Sequence, residues 1–213
     1  MINAKVAASA LLSLALLGCS TEGQITETGG IVVTRSACTA VAIPAGTGDV
    51  TFFNPENSRT ADAIDVVATM TNLKSTCDET GDYVVTNVTF EVQATRRDNR
   101  GARDVVIPYF ATVVHAGSNV VSKRVNRIGL HFADGDYRAT TSGSASSRVL
   151  RAAATLPEDI RREVTRERKP GAADAAVDPL SDPKVKAAVQ RASFELLVGF
   201  QLTPEQLAYN ATK

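Results

Sequence analysis

Between residues 83 and 95, side chains alternate in character with a period of two. Val84, Val88, Phe90, Val92 and Ala94 share one parity with Thr86, and the opposite set, Asn87, Thr89, Glu91 and Gln93, is wholly polar. That period puts successive side chains on opposite faces of a strand, one buried and one wet, as in an antiparallel sheet. Such a strand needs neighbours, and the surrounding sequence supplies them. Runs rich in β-branched residues recur at 31–43, 50–53, 63–73, 104–116, 120–130 and 137–154. Between them stand turn-prone groups: Asn54-Pro55-Glu56-Asn57, the polar connection 96–101, Gly117-Ser118-Asn119 and Asp134-Gly135-Asp136.

In the run 63–73, Ile64, Val66, Ala68 and Met70 fall on one face. Pro108 interrupts its run and points to an edge or a bulge, because proline cannot donate to a ladder. The run 120–130 carries more charge than its neighbours, which predicts an edge strand protected from sheet-to-sheet association. About seven short strands with regular turns predict a mainly β fold, an antiparallel β-sandwich over residues 31–154. The Gly135-x-Tyr137 pattern resembles the tyrosine corner of immunoglobulin-like sandwiches, which implies an immunoglobulin or fibronectin style of sandwich. Ala139 stands where antibody domains place a cysteine, and the chain has no tryptophan, so an antibody-type core is excluded.

Helical grammar takes over near Thr155. Thr155-Leu156-Pro157-Glu158 reads as a capping box opening a charged helix within 155–169, whose apolar residues are Ile160 and Val164. Residues 170–182 are rich in Ala, Asp, Gly and Pro and read as a linker. Residues 183–213 read as C-terminal amphipathic helices, the first capped by Asp182 and running to about residue 198, the second opened by Thr203-Pro204-Glu205-Gln206. Val185, Val189, Ala192, Leu196 and Phe200 lie on the apolar side of the first and form a candidate partner-binding stripe. The same stripe would serve equally to dock the helix on a sheet face.

Lys and Arg total 23, equal to Asp and Glu, so no basic footprint for nucleic acid is present. His115 and His131 have no carboxylate at metal-ligand spacing beside them in sequence, and no metal or other cofactor is expected. Asp134-Gly135-Asp136 lacks the further oxygens of a calcium loop and reads as a turn. Ser142, Ser144, Ser146 and Ser147 lack the Gly-x-Ser-x-Gly of a nucleophile elbow and read as a flexible loop. With no phosphate loop or dinucleotide fingerprint either, no enzymatic activity is expected.

The N-terminus is the most informative stretch for function. Lys5 precedes a twelve-residue apolar run, 6–17, too short to span a bilayer, which takes about 20 residues as a helix. Residues 1–18 read as a signal peptide. Leu16-Leu17-Gly18-Cys19 resembles the lipobox of bacterial lipoproteins. That resemblance implies diacylglycerol on the Cys19 thiol, cleavage just before it, and acylation of the freed amine. Residues 19–30 then form the lipidated N-terminus and a polar tether. Ser20 after the lipidated cysteine implies, in Gram-negative systems, sorting to the outer membrane, facing the periplasm.

With Cys19 assigned to lipid, Cys38 and Cys77 remain as a pair, and export to an oxidising compartment predicts a disulfide between them, two free buried thiols being the alternative. The functional expectation is a lipid-anchored, non-enzymatic scaffold or accessory subunit of an envelope assembly, with an envelope protein as partner and the membrane held through Cys19. The alternative is a module binding cell-wall glycan or polysaccharide. Such modules present exposed aromatics, and this chain has 4 tyrosines and 7 phenylalanines.

Overall fold

The computed structural model describes residues 36–175 and 177–212, together with the backbone of two short paired strands, β1 (Gln24–Ile25) and β2 (Ile31–Val32). The stretch read as a signal peptide, residues 1–18, and Cys19 lie outside the described residues. Strand β1 falls within the segment read as a tether.

Two four-stranded sheets pack face to face. In the first, the order is β4 (Asp49–Phe53), β5 (Ile64–Asp78), β6 (Tyr83–Arg96) and β9 (Arg138–Leu150), all antiparallel. In the second, it is β3 (Ala40–Ala42), β10 (Phe194–Phe200), β7 (Arg103–His115) and β8 (Asn119–Phe132), with β3 parallel to β10 and the remainder antiparallel. The chain is thus mainly β, an antiparallel-rich sandwich with helices toward its C-terminus. The alternation in β6 is realised in full: Val84, Thr86, Val88, Phe90, Val92 and Ala94 are all buried. They meet Ile107, Tyr109, Leu130, Phe132, Leu196 and Val198 from the other sheet in one core cluster.

Strand β5 runs past residue 73 because a bulge absorbs one residue. Thr71 faces Glu91 and Lys74 faces Thr89, with Asn72 at φ 52, a left-handed conformation that asparagine tolerates. The Asn72 amide donates to Glu91 at 2.8 Å. The extension carries Cys77 to within a Cα distance of 6.0 Å of Cys38, and the two form a disulfide. It joins the segment entering β3 in one sheet to β5 in the other.

The C-terminal third corrects the helical reading. Among the described residues the α-helices here are α1 (Arg151–Ala154), α2 (Glu158–Thr165), α3 (Pro183–Ala192) and α4 (Pro204–Thr212), with a 3-10 turn at Pro179–Ser181 before α3. The helix capped by Asp182, whose carboxylate accepts from the Lys184 amide at 2.7 Å, stops at Ala192 rather than near residue 198. Ser193 ends it, its amide donating to the Gln190 carbonyl and its hydroxyl to that of Val189. Residues 194–200 then enter the second sheet between β3 and β7. Half-buried Leu197 on the outer face is apolar beside Leu196, Val198 and Phe200 on the core face, which is why this stretch also satisfied a helical period.

Helix α2 ends at Thr165, short of residue 169, and no side chain caps it. The Thr155 hydroxyl instead donates back to the Arg151 carbonyl at 2.7 Å. The Thr203–Gln206 capping box does form, with both reciprocal hydrogen bonds in place.

Pro108 sits in an inner strand rather than at an edge. Its carbonyl accepts from Gln201 at 2.9 Å, just beyond the end of β10, so the missing N–H falls where the neighbouring strand stops. Strand β8 does occupy an edge. Tyr137 is 55% exposed, and the crossing hydroxyl belongs to Tyr109, which donates to the Ser144 carbonyl across the sheets at 2.9 Å. The 96–101 connection hides a buried cation. Arg96, 4% exposed, donates to the carbonyls of Asp136, Gly101, Asn99 and Ala133, each at 2.7–2.8 Å. One guanidinium thereby ties the β6–β7 connection to the β8–β9 connection, and the four carbonyls satisfy the donors of a buried cation.

Candidate functional site

Strands β8 and β9 are the outer strands of their respective sheets and are joined by the turn at 133–137. Near that turn the sandwich is closed: Ile128, Leu130 and Phe132 alternate into the core, and the Arg96 cluster locks the end. Toward the start of β8 it opens. Every residue from Asn119 to Arg127 is exposed, including Val120 at 59%, Val121 at 56% and Val125 at 53%.

The register explains the opening. Arg124 lies directly opposite Ala111, and Ser122 opposite Val113, both partners being core residues. Cross-strand partners share a face, so Ser122 and Arg124 occupy core-facing positions with polar groups. A bulge at Val113/Val114 accommodates Val121 as the extra residue. A groove of about 640 Å³ results between the diverging edges. Its walls include Ala111, Val113, Val121, Val149 and Leu196, with Arg124 and Arg148 contributing charge and no carboxylate in the lining. Its size is that of a ligand or peptide site. Arg148 stacks over the Tyr83 ring at 3.8 Å, and Lys123 over that of Phe110 at 5.1 Å. Among the described residues, neither of these cations nor Arg124 nor Arg127 has an ion-pair partner.

The candidate stripe of the sequence reading does not survive as one surface. Val185 and Val189 are buried in a small helical cluster with Ile160, Val164 and Ala188. Leu196 and Phe200 are fully buried on β10 in the main core, and Ala192 is half-buried at the α3 terminus. These residues were grouped by a helical period that stops at Ala192, so no exposed apolar helix face exists there.

A second cleft, about 250 Å³, lies where helices meet sandwich, lined by Ala37, Cys38, Leu156, Val189, Ala192 and Phe194 among others. The serine cluster is also corrected. Ser142, Ser144, Ser146 and Ser147 belong to β9 and pair with β6, and Ser147 is buried.

His131 faces Asp104 across β7 and β8 at 2.7 Å, a carboxylate partner that sequence spacing did not show. His115 bonds the Arg191 carbonyl through Nε2 at 2.6 Å and stacks on Phe194. Asp134 lies in a turn closed by the Asp136 amide donating to the Ala133 carbonyl at 3.1 Å, and its carboxylate accepts from the Gly101 amide of the neighbouring connection at 2.6 Å. Charge effects are likewise local: Arg100 holds the Asp98 carboxyl far below its ordinary range, and Arg166 lowers that of Asp174. Among the described residues, no three His, Cys, Asp or Glu side chains converge as a metal site would require, and no helix is long and apolar enough to cross a membrane.

The open end of β8 was partly legible, since cations and apolar residues at both parities mark an edge lacking one buried face. The groove was not, because it depends on how far β9 lies from β8. The structure defines a disulfide-bridged β-sandwich with helices toward its C-terminus and a long open edge at β8. Comparison with protein families, curated proteins and solved structures finds no match to this chain.

Proposed function

We propose that this is a lipid-anchored protein of the bacterial cell envelope, held at the outer membrane through Cys19 and facing the periplasm. There it acts as a non-enzymatic scaffold or accessory subunit of an envelope assembly. The observation that carries the reading is the Cys38–Cys77 disulfide. Bonds of this kind persist in oxidising compartments, which supports export. The bond also accounts for two of the three cysteines and leaves Cys19, at the end of the apolar leader, for the lipid. The open β8 edge supports a role in contact.

Metabolic labelling with a palmitate analogue, followed by membrane fractionation, tests the anchor. The wild-type chain is expected to carry label and sediment with outer membranes, and Cys19→Ser to lose the label and become soluble in the periplasm. Unlabelled or soluble wild-type protein overturns the reading.

A further inference from the structure

We propose that β8, over Asn119–Arg127, receives an extended acidic segment of a partner protein as an added strand of the second sheet. The inference deepens the accessory-subunit reading and rests on it only for the existence of a partner. A strand at the end of a sheet presents unpaired N–H and C=O groups on one side, and strand addition uses those groups for affinity and neighbouring side chains for selectivity.

The outer edges of the two sheets are not equivalent. Strand β3 has only 3 residues. Strand β4 is overlaid by α4, whose Asn210 amide donates to the Asp49 and Gly46 carbonyls, both at 2.8 Å. Strand β9 carries Thr, Ser and Gly along most of its length. Strand β8 alone among them combines 14 residues with three exposed valines.

Charge identifies the occupant. Lys123, Arg124 and Arg127 project from the open half of β8, Arg148 stands across the groove, and no carboxylate lines it. A second copy of this chain is disfavoured, since antiparallel pairing of two β8 edges would bring these cations against their own kind, and like charges directly opposite destabilise a pair. Cations on an edge are a common guard against self-association. The guard fails against one class of strand, an acidic one, whose alternate apolar residues would cover Val121 and the Val113–Leu196–Val149 walls of the groove.

The test uses the purified full chain, with hydrogen exchange read by NMR during titration with a decapeptide alternating Glu and Val. The Lys–Val counterpart and dodecanoate serve as the other probes. The acidic peptide is expected to slow exchange of amides within 119–127, leaving β4 unaffected. The variant K123E/R124E/R127E is expected to bind it about tenfold or more weakly and to bind the Lys–Val peptide instead. The neutral variant R124Q/R127Q, expected to fall between the two, covers the case in which charge reversal disturbs the fold.

Acidic-peptide binding unchanged by reversal, absence of protection in β8, or protection by dodecanoate in place of the peptide overturns the proposal. Each of these outcomes leaves the lipid-labelling result standing, and a soluble Cys19→Ser protein that still takes the peptide separates the edge from the anchor.

Discussion

The sandwich and the helical segment at 151–193 are stabilised by different means within one chain. The sandwich buries a continuous cluster from Val50 to Phe200, satisfies its backbone through long ladders, and carries the Cys38–Cys77 disulfide. The helical segment buries Ile160, Val164, Val185, Ala188 and Val189 in a cluster of its own, aided by half-buried Leu156 and Leu180, and lends only Ala154 to the sandwich core. Its electrostatic contacts are exposed: Arg161 with Glu158, Arg166 with Glu163 and Asp174, Lys184 with Asp159. Exposed pairs contribute about 0–1 kcal/mol each, so this segment has little beyond its small core. The contrast teaches that position in sequence is a poor guide to role. The weak element lies between β9 and β10, two strands of the strong one.

The sharpest way to break that contrast is to end the chain after Ser193. If the C-terminal third were an appendage, truncation would spare the sandwich. Because β10 fills the space between β3 and β7 and buries Leu196, Val198 and Phe200 completely, its loss exposes the core and leaves β3 without a neighbour. The expected outcome is a chain with no cooperative thermal or urea transition. A truncated protein that unfolds with the full-length midpoint would return the C-terminal strand to the standing of an appendage.

How much of this could be read beforehand varies by element, for identifiable reasons. Strand β6 was legible to the residue because one face is wet, and a wet face leaves alternation in the sequence. Strand β10 was not, because half-buried Leu197 on its outer face is as apolar as Leu196, Val198 and Phe200 on its inner one, and the stretch therefore fits a helical period as well as a strand's. The break at Ser193 depends on hydrogen bonds to Val189 and Gln190 that any serine in a helix could have declined.

The 142–147 run looked loop-like for its small residues. Gly143 is small because it lies opposite Phe90, and a Cβ there would sit 2.4 Å from the ring's Cζ, a fact fixed by register alone. Arg96 looked like part of a polar turn, and only the convergence of two connections in space shows it to be buried. For the candidate site, the Cys38–Cys77 pair was legible through cysteine arithmetic and compartment. The edge position of β8 was legible from its charge, and the groove was invisible for want of the β8–β9 separation.

The disulfide offers the next perturbation. Cys38→Ser/Cys77→Ser removes a covalent link across the sheets that closes a sequence separation of 39 residues. On the chain-entropy account, a loop of that size stabilises by about 3–4 kcal/mol. The double variant is expected to lose about that much in urea unfolding while keeping its strand signature in circular dichroism, since the core residues are untouched. A loss below about 1 kcal/mol would mean the unfolded chain is already restrained near this end, and that the sandwich owes its advantage to packing alone.

The smallest effect belongs to the helical side and depends on pH. Arg166 bonds both Asp174, at 2.7 Å, and Glu163, at 3.2 Å, and so fastens the segment after α2 back onto the helix. The Asp174 carboxyl is lowered from its ordinary value of 3.8, first by its hydrogen bond with Arg166. A depressed carboxylate contributes stability that is present above the unfolded value and lost as pH falls through the folded one. Acidification below about 3.8 should therefore loosen the segment at 166–175 by protonating Asp174, and Asp174→Asn should reproduce the effect at neutral pH. Because the pair is exposed, the expected change is a few-fold rise in amide exchange or proteolysis within that segment, reduced further by salt, with strands β5 to β7 unaltered. If exchange in the strands rises in step with the segment, the helical side and the sandwich open as one unit, and their different stabilisation does not translate into separate motion.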